Sequence, residues 1–364
     1  MTDPFKIVGP TMVANSAGKT SGFNLWKHLQ ANGGTLTDTG RAVFTNTGWE
    51  DRRSLDFLAE QERRWAVDIV MLEFCWRPAT EGELATYEAK WQRAQDRLAR
   101  FRAEPASFFA PRRRRAGGPA VLFDTDDGIS RKADAVRKAE KHATDCYETW
   151  RKAGLIGMPS QRRVTRDTAS TDGRPFEELL QGLLRFREEV KGKPGVLPNA
   201  VQRICTGDLK AKPMARFAFE AWGVGRSGFR VALGLRADEQ DRIASALDRG
   251  VDGGVPYFPL DDAGVTKADV AAFWADQPFG VGLKAHEGNC GGCHMKRRGA
   301  LLDLIRREFF DVSWWARWER RTGQRFRLER SYRGLMAAAA SEQTIWDGDD
   351  LDNGITCETG YCSN

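Results

Sequence analysis

Residues 11–74 alternate between short apolar runs and segments with helical spacing, and no other feature constrains the fold as strongly. The runs TMVAN, RAVFTNTG and DIVMLEF are typical of buried β-strands. Connections this short between them favour parallel pairing with helices on both faces of the sheet. We therefore expect an α/β fold with a parallel, doubly wound sheet that begins as a βαβαβ unit.

The helices of this unit have recognisable ends. The first is expected to end at Asn32-Gly33-Gly34, a composition typical of a helix C-cap. The second is expected over Arg52–Trp65, where apolar residues recur at helical spacing. Further on, a helix with one apolar stripe should end at Glu104-Pro105, and a charged helix should span residues 130–152.

Four regions follow from these patterns. Residues 1–80 should form the first half of the α/β domain, and residues 81–160 a basic helical insertion. Residues 161–260 should form the second half, with strands in RRVTRDTAS and GFRVALGL and a helix around Phe176–Val190. Residues 261–364 should form a C-terminal helical region with a cysteine-bearing loop, a Trp-rich helix over residues 300–321 and a polar tail.

Composition narrows the class of protein. A hydrophobic content of 41% in 364 residues supports a sizeable core. No apolar run approaches the ~20 residues that span a bilayer, and MTDPFKIVGP lacks the features of a signal peptide. We expect a cytoplasmic protein with no membrane partner. Disulfides are therefore not expected among the seven cysteines, and the clustered ones are candidate metal ligands or reactive thiols, whereas Cys75 and Cys146 are expected to be ordinary packing or surface thiols.

The segment VANSAGKTSG runs from the first strand into the first helix. It contains Gly-Lys-Thr, as a Walker A loop does, but Val13 stands where that motif needs a glycine. Small residues at the start of a helix offer backbone N–H groups and the positive end of the helix dipole to an anion. The alternative is an ordinary turn whose hydroxyls cap the helix.

Three further motifs, FTNTGWE, RICTGDLKAKPM and GLRADEQDR, follow in order along the chain. Together with the loop they resemble the PP-loop superfamily, specifically its phosphoadenosine phosphosulfate (PAPS) reductase branch, over residues 8–74 and 165–321. The resemblance implies an adenine nucleotide α-hydrolase-like fold that binds PAPS, adenosine phosphosulfate (APS) or ATP, with a Mg²⁺ ion as a further option.

The resemblance implies three groups of nucleotide-contacting residues, in which the Lys19 cation and backbone amides also stabilise developing charge. The group that takes the phosphates or sulfate is Ser16, Gly18, Lys19, Thr20 and Ser21. The group that borders the nucleotide is Asn46, Thr47, Gly48 and Glu50. The group that approaches the phosphates or Mg²⁺ is Arg236, Asp238 and Glu239.

The loop departs from the family's usual Ser-Gly-Gly-x-Asp-Ser at two positions. Ala17 replaces a glycine and Thr20 replaces the aspartate. ATP pyrophosphatases of the superfamily often place that aspartate near the metal. Thr20 therefore favours a sulfonucleotide over ATP as the substrate.

The segment GNCGGCHMK holds Cys290 and Cys293 at a spacing that lets two thiolates face one metal. The resemblance places Cys205 near the same edge of the sheet as a third ligand. The fourth ligand is Cys357 or Cys362, in the tail CETGYCSN. His294 could instead replace one cysteine.

Four thiolates suit a [4Fe–4S] cluster or a Zn²⁺ ion, and the resemblance favours iron. A redox-active dithiol and a pair of buried thiols remain as alternatives. Sulfonucleotide reductases attack sulfur with a thiolate on a C-terminal segment, so Cys357 or Cys362 is also a candidate nucleophile that works with a thiol electron donor.

Two further clusters have more than one interpretation. The run Arg112–Arg115 is either a contact for a nucleic-acid backbone or a solvated loop. The residues Trp314, Trp315 and Trp318 lie at helical spacing, which favours core packing over base stacking.

Three functions remain open. The first is a PAPS reductase-like enzyme for sulfonucleotide reduction or sulfur transfer. The second is an ATP-dependent enzyme that modifies tRNA or DNA, for example by thiolation or phosphorothioation. The third is a non-catalytic binding module stabilised by zinc.

Overall fold

The computed structural model describes residues 3–109, 112–113, 121–122, 125–249 and 253–341. These residues form two compact units. The α/β unit takes the described residues of Met1–Trp76, Pro159–Leu184 and Pro194–Asn364. The helical unit takes those of Arg77–Met158 and Arg185–Lys193.

The strands in chain order are β1 (Thr11–Ala14), β2 (Gly40–Asn46), β3 (Ile69–Arg77), β4 (Arg112–Arg113), β5 (Val121–Leu122), β6 (Met158–Val164), β7 (Arg230–Ala232) and β8 (Val255–Tyr257). Six of them form one sheet in the order β6-β3-β2-β1-β7-β8, and β4 pairs only with β5. The pairs β1–β2, β2–β3, β1–β7 and β7–β8 are parallel. The α/β class expected from the sequence is confirmed.

The helices in chain order are α1 (Lys19–Ala31), α2 (Arg52–Trp65), α3 (Glu81–Ala103), α4 (Ala106–Phe109), α5 (Thr125–Ile156), α6 (Arg174–Arg185), α7 (Lys212–Trp222), α8 (Gln240–Arg249), α9 (Pro259–Asp262), α10 (Lys267–Ala275), α11 (Arg298–Arg306), α12 (Val312–Thr322) and α13 (Tyr332–Ser341). Two π-helical segments cover Phe186–Val190 and Cys205–Ala211.

Helices cover both faces of the sheet, and the alternation of side chains along each strand shows it. Met12 and Val43 belong to a buried cluster that includes residues of α7 and α8. Their neighbours Val13 and Phe44 belong to another cluster, with residues of α1 and α2. Because successive strand residues point to opposite faces, both faces are packed, as a doubly wound sheet requires.

Local signals set the ends of the first two helices where the sequence predicts them. After α1, Gly33 and Gly34 take φ angles of 80° and 90°, and the Gly34 N–H donates to Leu29 O at 2.7 Å. At the start of α2, the Asp51 carboxylate accepts the Arg53 N–H at 2.9 Å. Such contacts satisfy backbone groups that a helix end leaves unpaired.

The expected Trp-rich helix over residues 300–321 is two helices, α11 and α12. The chain leaves the helical conformation at Glu308, whose φ is 51°. It re-enters at Asp311, whose carboxylate accepts the Ser313 N–H at 3.0 Å. The three tryptophans of α12 are at most 3% exposed, so the expected core role is confirmed.

One further helix differs from the expected one, and one strand was not expected. The helix predicted over Phe176–Val190 changes from α-helix to π-helix after Arg185. The short strand β8 lies in GVPYF, where a proline and only three paired residues leave little strand signal.

The helical unit is built on α3 and α5, which pack through a small cluster of Ala94, Leu98, Ala139 and Ala143. Its bounds differ slightly from the expected insertion at 81–160, because residues 185–193 join it. None of the helices in the described part of the chain is long and apolar enough to cross a membrane.

Candidate functional site at the carboxyl edge of the sheet

The loop between β1 and α1 is folded by two buried side chains, Asn15 and Ser21. The Asn15 side-chain oxygen accepts the Ala17 N–H at 2.9 Å and the Ser21 hydroxyl at 3.2 Å. The Ser21 oxygen in turn accepts the N–H groups of Ser16 at 3.1 Å and Gly18 at 3.3 Å. These contacts hold Ala17 at a left-handed φ of 59°. The Ser21 hydroxyl therefore shapes the loop from inside, and its contact with a phosphate stays a prediction.

The first turn of α1 presents the groups that suit an anion. Lys19 is exposed and is the first residue of the helix. The N–H groups of a first helical turn have no acceptor within the helix. Together with the positive end of the helix dipole they attract negative charge.

Arg236 connects this turn to the loop after β7. Its Nη1 donates to Thr20 Oγ1 at 3.1 Å, and its Nε donates to Asp238 Oδ1 at 2.9 Å. The Glu239 carboxylate accepts the Arg236 N–H at 3.1 Å and also pairs with the Arg242 guanidinium. The structure therefore brings together Thr20 and all three residues of the third implied group.

These two loops flank the point where the strand order reverses. β1 lies between β2 and β7, so the chain winds in opposite directions on the two sides of the β1–β7 pair. In open α/β sheets, the crevice at such a point is where ligands bind. The loops approach closely, because a Cβ on Gly234 would lie 3.3 Å from Ser21 Cα.

The loop after β2 is held by a buried amide. The Asn46 Nδ2 donates to Glu73 Oε1 and to Ser170 O, each at 2.8 Å, and its Oδ1 accepts the Gly48 N–H at 2.9 Å. Gly48 has a φ of 86°, and a Cβ there would lie 2.7 Å from Pro175 Cδ. Asn46 and Gly48 thus position this loop, and the structure gives both a structural role.

Glu73 is fully buried and is missing from the sequence analysis. Its carboxylate accepts the Ser170 N–H at 2.6 Å and pairs with Arg162 Nε at 3.0 Å. The available signal was an acidic residue in the apolar strand DIVMLEF. A buried carboxylate needs such partners, so Glu73, in the middle of β3, links the end of β2 to the loop that contains Ser170.

Glu50 and Thr47 form a second buried pair in the loop after β2. The Glu50 carboxylate accepts the Thr47 hydroxyl at 2.9 Å and the Thr47 N–H at 3.0 Å. Burial raises the pKa of Glu50, and the nearby Lys210 ammonium opposes that shift. Thr47 and Lys210 both line the cavity described next.

A cavity of about 40 Å³ brings the predicted cysteines together. Its lining includes Cys205, Cys290, Cys293 and His294. Lys210 also lines this cavity. It was not predicted from the sequence, because a lysine five residues after a cysteine is not a specific motif. The structure thus joins three of the predicted metal ligands at one place.

The Cys-x-x-Cys loop is fixed to the sheet edge by its glycines. The Gly291 N–H donates to Trp49 O at 2.8 Å, in the loop after β2. Gly292 O accepts the Tyr332 hydroxyl at 2.6 Å, and a Cβ on Gly292 would lie 2.4 Å from the Trp315 ring. Only glycine allows this approach, so the spacing GNCGGC has a packing reason.

Two buried cations hold the flanks of the same loop. The Lys296 ammonium, which is 1% exposed, donates to His286 O at 2.8 Å and to Gly288 O at 2.7 Å. The Arg327 guanidinium donates to His294 O at 2.6 Å. These contacts fix the backbone that carries both cysteines.

Burial controls the protonation of the cavity. It raises the pKa of the Cys290 thiol well above its usual value, and the neighbouring Glu50 adds to the effect. Burial also lowers the pKa of His294 to about 4, with the cations of Arg203 and Arg327 acting in the same direction. At neutral pH and without a metal, Cys290 is therefore a thiol and His294 a neutral imidazole.

No three His, Cys, Asp or Glu side chains in the described ranges are arranged to hold a metal ion. The two tail cysteines proposed as ligands, Cys357 and Cys362, lie outside those ranges, as do Arg114 and Arg115. Arg112 and Arg113 are described only as the backbone of β4.

The helical unit has a separate cleft of about 610 Å³ between α3, α4 and α5. Arg97, Lys138 and His142 line it together with the aromatic rings of Phe101 and Phe108. In the sequence, residues 77–158 and 185–193 contain 21 basic and 14 acidic side chains, against 56 and 50 in the whole chain, so the net positive charge of the protein lies in this part of the sequence.

Comparison with known proteins gives one partial similarity. The chain is 32% identical over 93 residues to the uncharacterized nin region protein ORF290 of Escherichia phage lambda. The similarity covers 25% of this chain and 29% of that protein. No protein-family model matches the chain. No solved structure matches it either.

Proposed function

We propose that the protein is a PAPS reductase-like enzyme of the PP-loop superfamily, which binds an adenine nucleotide at the carboxyl edge of its sheet beside a cysteine-ligated iron–sulfur cluster. The observation that carries this proposal is that α1 and the loop after β7 contact each other at the point where the strand order of the sheet reverses. The contact between Arg236 and Thr20 joins two segments that are 216 residues apart in the chain.

In this proposal the phosphate or sulfate lies against the first turn of α1. Lys19 supplies an exposed cation, and the helix supplies N–H donors. Arg236 is held by two carboxylates, Asp238 and Glu239, so its guanidinium stays near Thr20. Thr20 carries no charge, which supports a sulfonucleotide rather than the cleavage of ATP with a metal at this position.

The cavity chemistry supports a metal rather than a free dithiol. A catalytic dithiol needs a thiolate, but the pKa of Cys290 is raised by burial. A bound metal deprotonates its thiol ligands and so offsets that cost.

The arrangement of the donors favours a cluster over one zinc ion. Zn–S bonds of about 2.3 Å would place tetrahedral thiolates about 3.8 Å apart. In a [4Fe–4S] cluster each thiolate binds a different iron, so the sulfur atoms lie farther apart. A cluster is thus compatible with three cysteines that share a cavity without forming a site for one ion.

The proposed reaction is attack by a thiolate of Cys357 or Cys362 on the sulfur of the bound sulfonucleotide, which breaks the bond from that sulfur to the phosphate oxygen, releases the adenosine phosphate and leaves a cysteine S-sulfonate. An external dithiol donor would then attack the cysteine sulfur and release sulfite, and its second thiol would free the cysteine as the donor becomes a disulfide. Sulfur transfer after ATP activation is the alternative reaction at the same site. In either, Lys19 and the first-turn N–H groups would stabilise charge on the phosphate or sulfate.

Nucleotide titration of three proteins tests the site. We expect Lys19→Ala and Arg236→Ala to weaken PAPS binding by tenfold or more, about 1.4 kcal/mol each. Lys27→Ala removes a cation from the same helix, where Lys27 lies over the Phe5 ring, and should bind like the wild type. Equal affinities for all three variants would refute the assignment.

The charge distribution favours a second candidate, a nucleic-acid-modifying enzyme. The helical unit carries the net positive charge, and its cleft combines cations with aromatic rings, of which that of Phe108 is exposed. Basic grooves with aromatic rings are typical of single-strand binding. In this alternative a tRNA or DNA would be the acceptor of activated sulfur.

A further inference from the structure

His294 follows the second cysteine of the Cys-x-x-Cys loop and lines the same cavity as the three cysteines. It is 6% exposed. The Cys293 N–H donates to Cys290 O at 3.1 Å, and the Lys296 N–H donates to Cys293 O at 3.0 Å. Because the backbone turns twice in succession here, the adjacent residues Cys293 and His294 both reach the cavity.

The two ring nitrogens of His294 have different surroundings. The ring forms a hydrogen bond with the backbone of Asn199. Its Nε2 is buried and has no hydrogen-bond partner among the described residues. Native proteins rarely leave a buried nitrogen unpaired. Metal-bound histidines usually donate one ring N–H to a backbone carbonyl or carboxylate and bind the metal through the other nitrogen.

We propose that His294 Nε2 is the fourth ligand of the metal site, together with Cys205, Cys290 and Cys293. This inference rests on the proposed function, which supplies the iron–sulfur cluster. It relieves Cys357 and Cys362 of a ligand role, so either tail cysteine is available as the nucleophile.

The ligand set has an electrochemical consequence. An imidazole is neutral, whereas a thiolate carries a negative charge, so three thiolates and one imidazole leave the cluster less negative than four thiolates do. Replacing cysteine ligands by histidine raises the reduction potential of iron–sulfur centres. The His294→Cys variant should therefore keep its cluster but have a lower potential than the wild type.

The test is anaerobic purification of the full chain from iron-supplied cells, with iron, sulfide and zinc measured per chain. Four proteins are compared with the wild type: His294→Ala, His294→Cys, the double variant Cys357→Ser/Cys362→Ser, and His286→Gln. His286 precedes the same loop, but its Nε2 lies 2.9 Å from Asp303 Oδ2, and it is absent from the cavity lining.

We expect the double variant and His286→Gln to keep the wild-type metal content. His294→Ala should hold clearly less metal per chain than the wild type, because it removes a direct ligand, and loss of even a supporting partner of a ligand costs about ten- to a hundredfold in metal affinity. His294→Cys should restore the content with a lower midpoint potential, which also shows that the loop still folds.

Two outcomes would overturn the inference. If the double tail variant lost the metal while His294→Ala kept it, the fourth ligand would be a tail cysteine and the proposed function would stand. If the wild type held neither iron nor zinc, the metal part of the proposed function would fail together with this inference.

Discussion

At the scale of single residues, several polar side chains act before any ligand is bound. The Ser21 hydroxyl and the Asn15 amide fold the loop after β1, and Asn46 holds the loop after β2. The sequence motifs identified Ser21 and Asn46 but not Asn15, and they did not show in which direction these side chains point. The sequence does not show whether a serine hydroxyl faces a phosphate or a backbone N–H, because a loop of this length can place the hydroxyl in either direction.

His28 gives a prediction of pH dependence. Its Nδ1 lies 2.8 Å from Asn24 O and its Nε2 lies 3.0 Å from the Tyr257 hydroxyl, a pattern that fits a neutral ring. Burial lowers its pKa from 6.5 to about 4. Between these pH values the unfolded chain binds more protons than the folded one, so the free energy of unfolding should decrease as the pH is lowered from 6.5 to 4, by up to about 1.4 kcal/mol per pH unit.

Urea unfolding at several pH values between 4.5 and 7.5 measures this effect. His28→Gln should make the dependence less steep and leave the share that His294 contributes. His142→Gln, at an exposed position on α5, should leave it as in the wild type. The same slope in all three proteins would contradict a neutral buried His28.

At the scale of elements, the first βαβαβ unit was predictable because the spacing of its apolar residues and the residues at its helix ends indicate the same strands and helices. The bounds of α2 coincide with the prediction, and the strands differ by a few residues. The C-terminal region was less predictable. The break between α11 and α12 depends on a left-handed Glu308, and the cavity depends on contacts between segments far apart in the chain, such as Gly291 with Trp49.

Gly292 tests the packing of the Cys-x-x-Cys loop. A methyl group there would meet the Trp315 ring at 2.4 Å, so Gly292→Ala should lower the free energy of unfolding by about 1–3 kcal/mol and reduce the metal content. Gly288→Ala is the matched control, because its nearest neighbour would be Ala285 O at 3.7 Å. Thermal unfolding and metal analysis of both variants make the comparison. Equal effects would show that Trp315 does not constrain the loop.

At the scale of the whole molecule, the proposed reaction site and the excess of positive charge lie in different units. The α/β unit holds the proposed nucleotide site and the three cavity cysteines, whereas the helical unit holds the excess of positive charge. Composition alone did not show this separation, since a net charge of +6 is small for 364 residues. The basic insertion expected at residues 81–160 already indicated it, and the structure adds residues 185–193, with four basic and two acidic side chains, to that unit.

This separation predicts how the second candidate function would behave. If a nucleic acid is the acceptor, Arg97→Ala/Lys138→Ala should weaken the binding of single-stranded RNA or DNA. The slope of log K against the logarithm of the salt concentration should become smaller in magnitude by about one to two. A charge-matched control is Lys90→Ala/Arg151→Ala, since neither residue lines the cleft. Fluorescence anisotropy at several salt concentrations provides the measurement. Identical slopes in both double variants would exclude the cleft as the binding surface.

The central claim is that an adenine nucleotide binds where β1 and β7 meet. A crystal structure of the protein with PAPS tests it most directly. The account predicts phosphate or sulfate density at the first turn of α1, within hydrogen-bonding distance of Lys19 or Arg236. Density elsewhere in the molecule, or an empty edge at saturating PAPS, would contradict it.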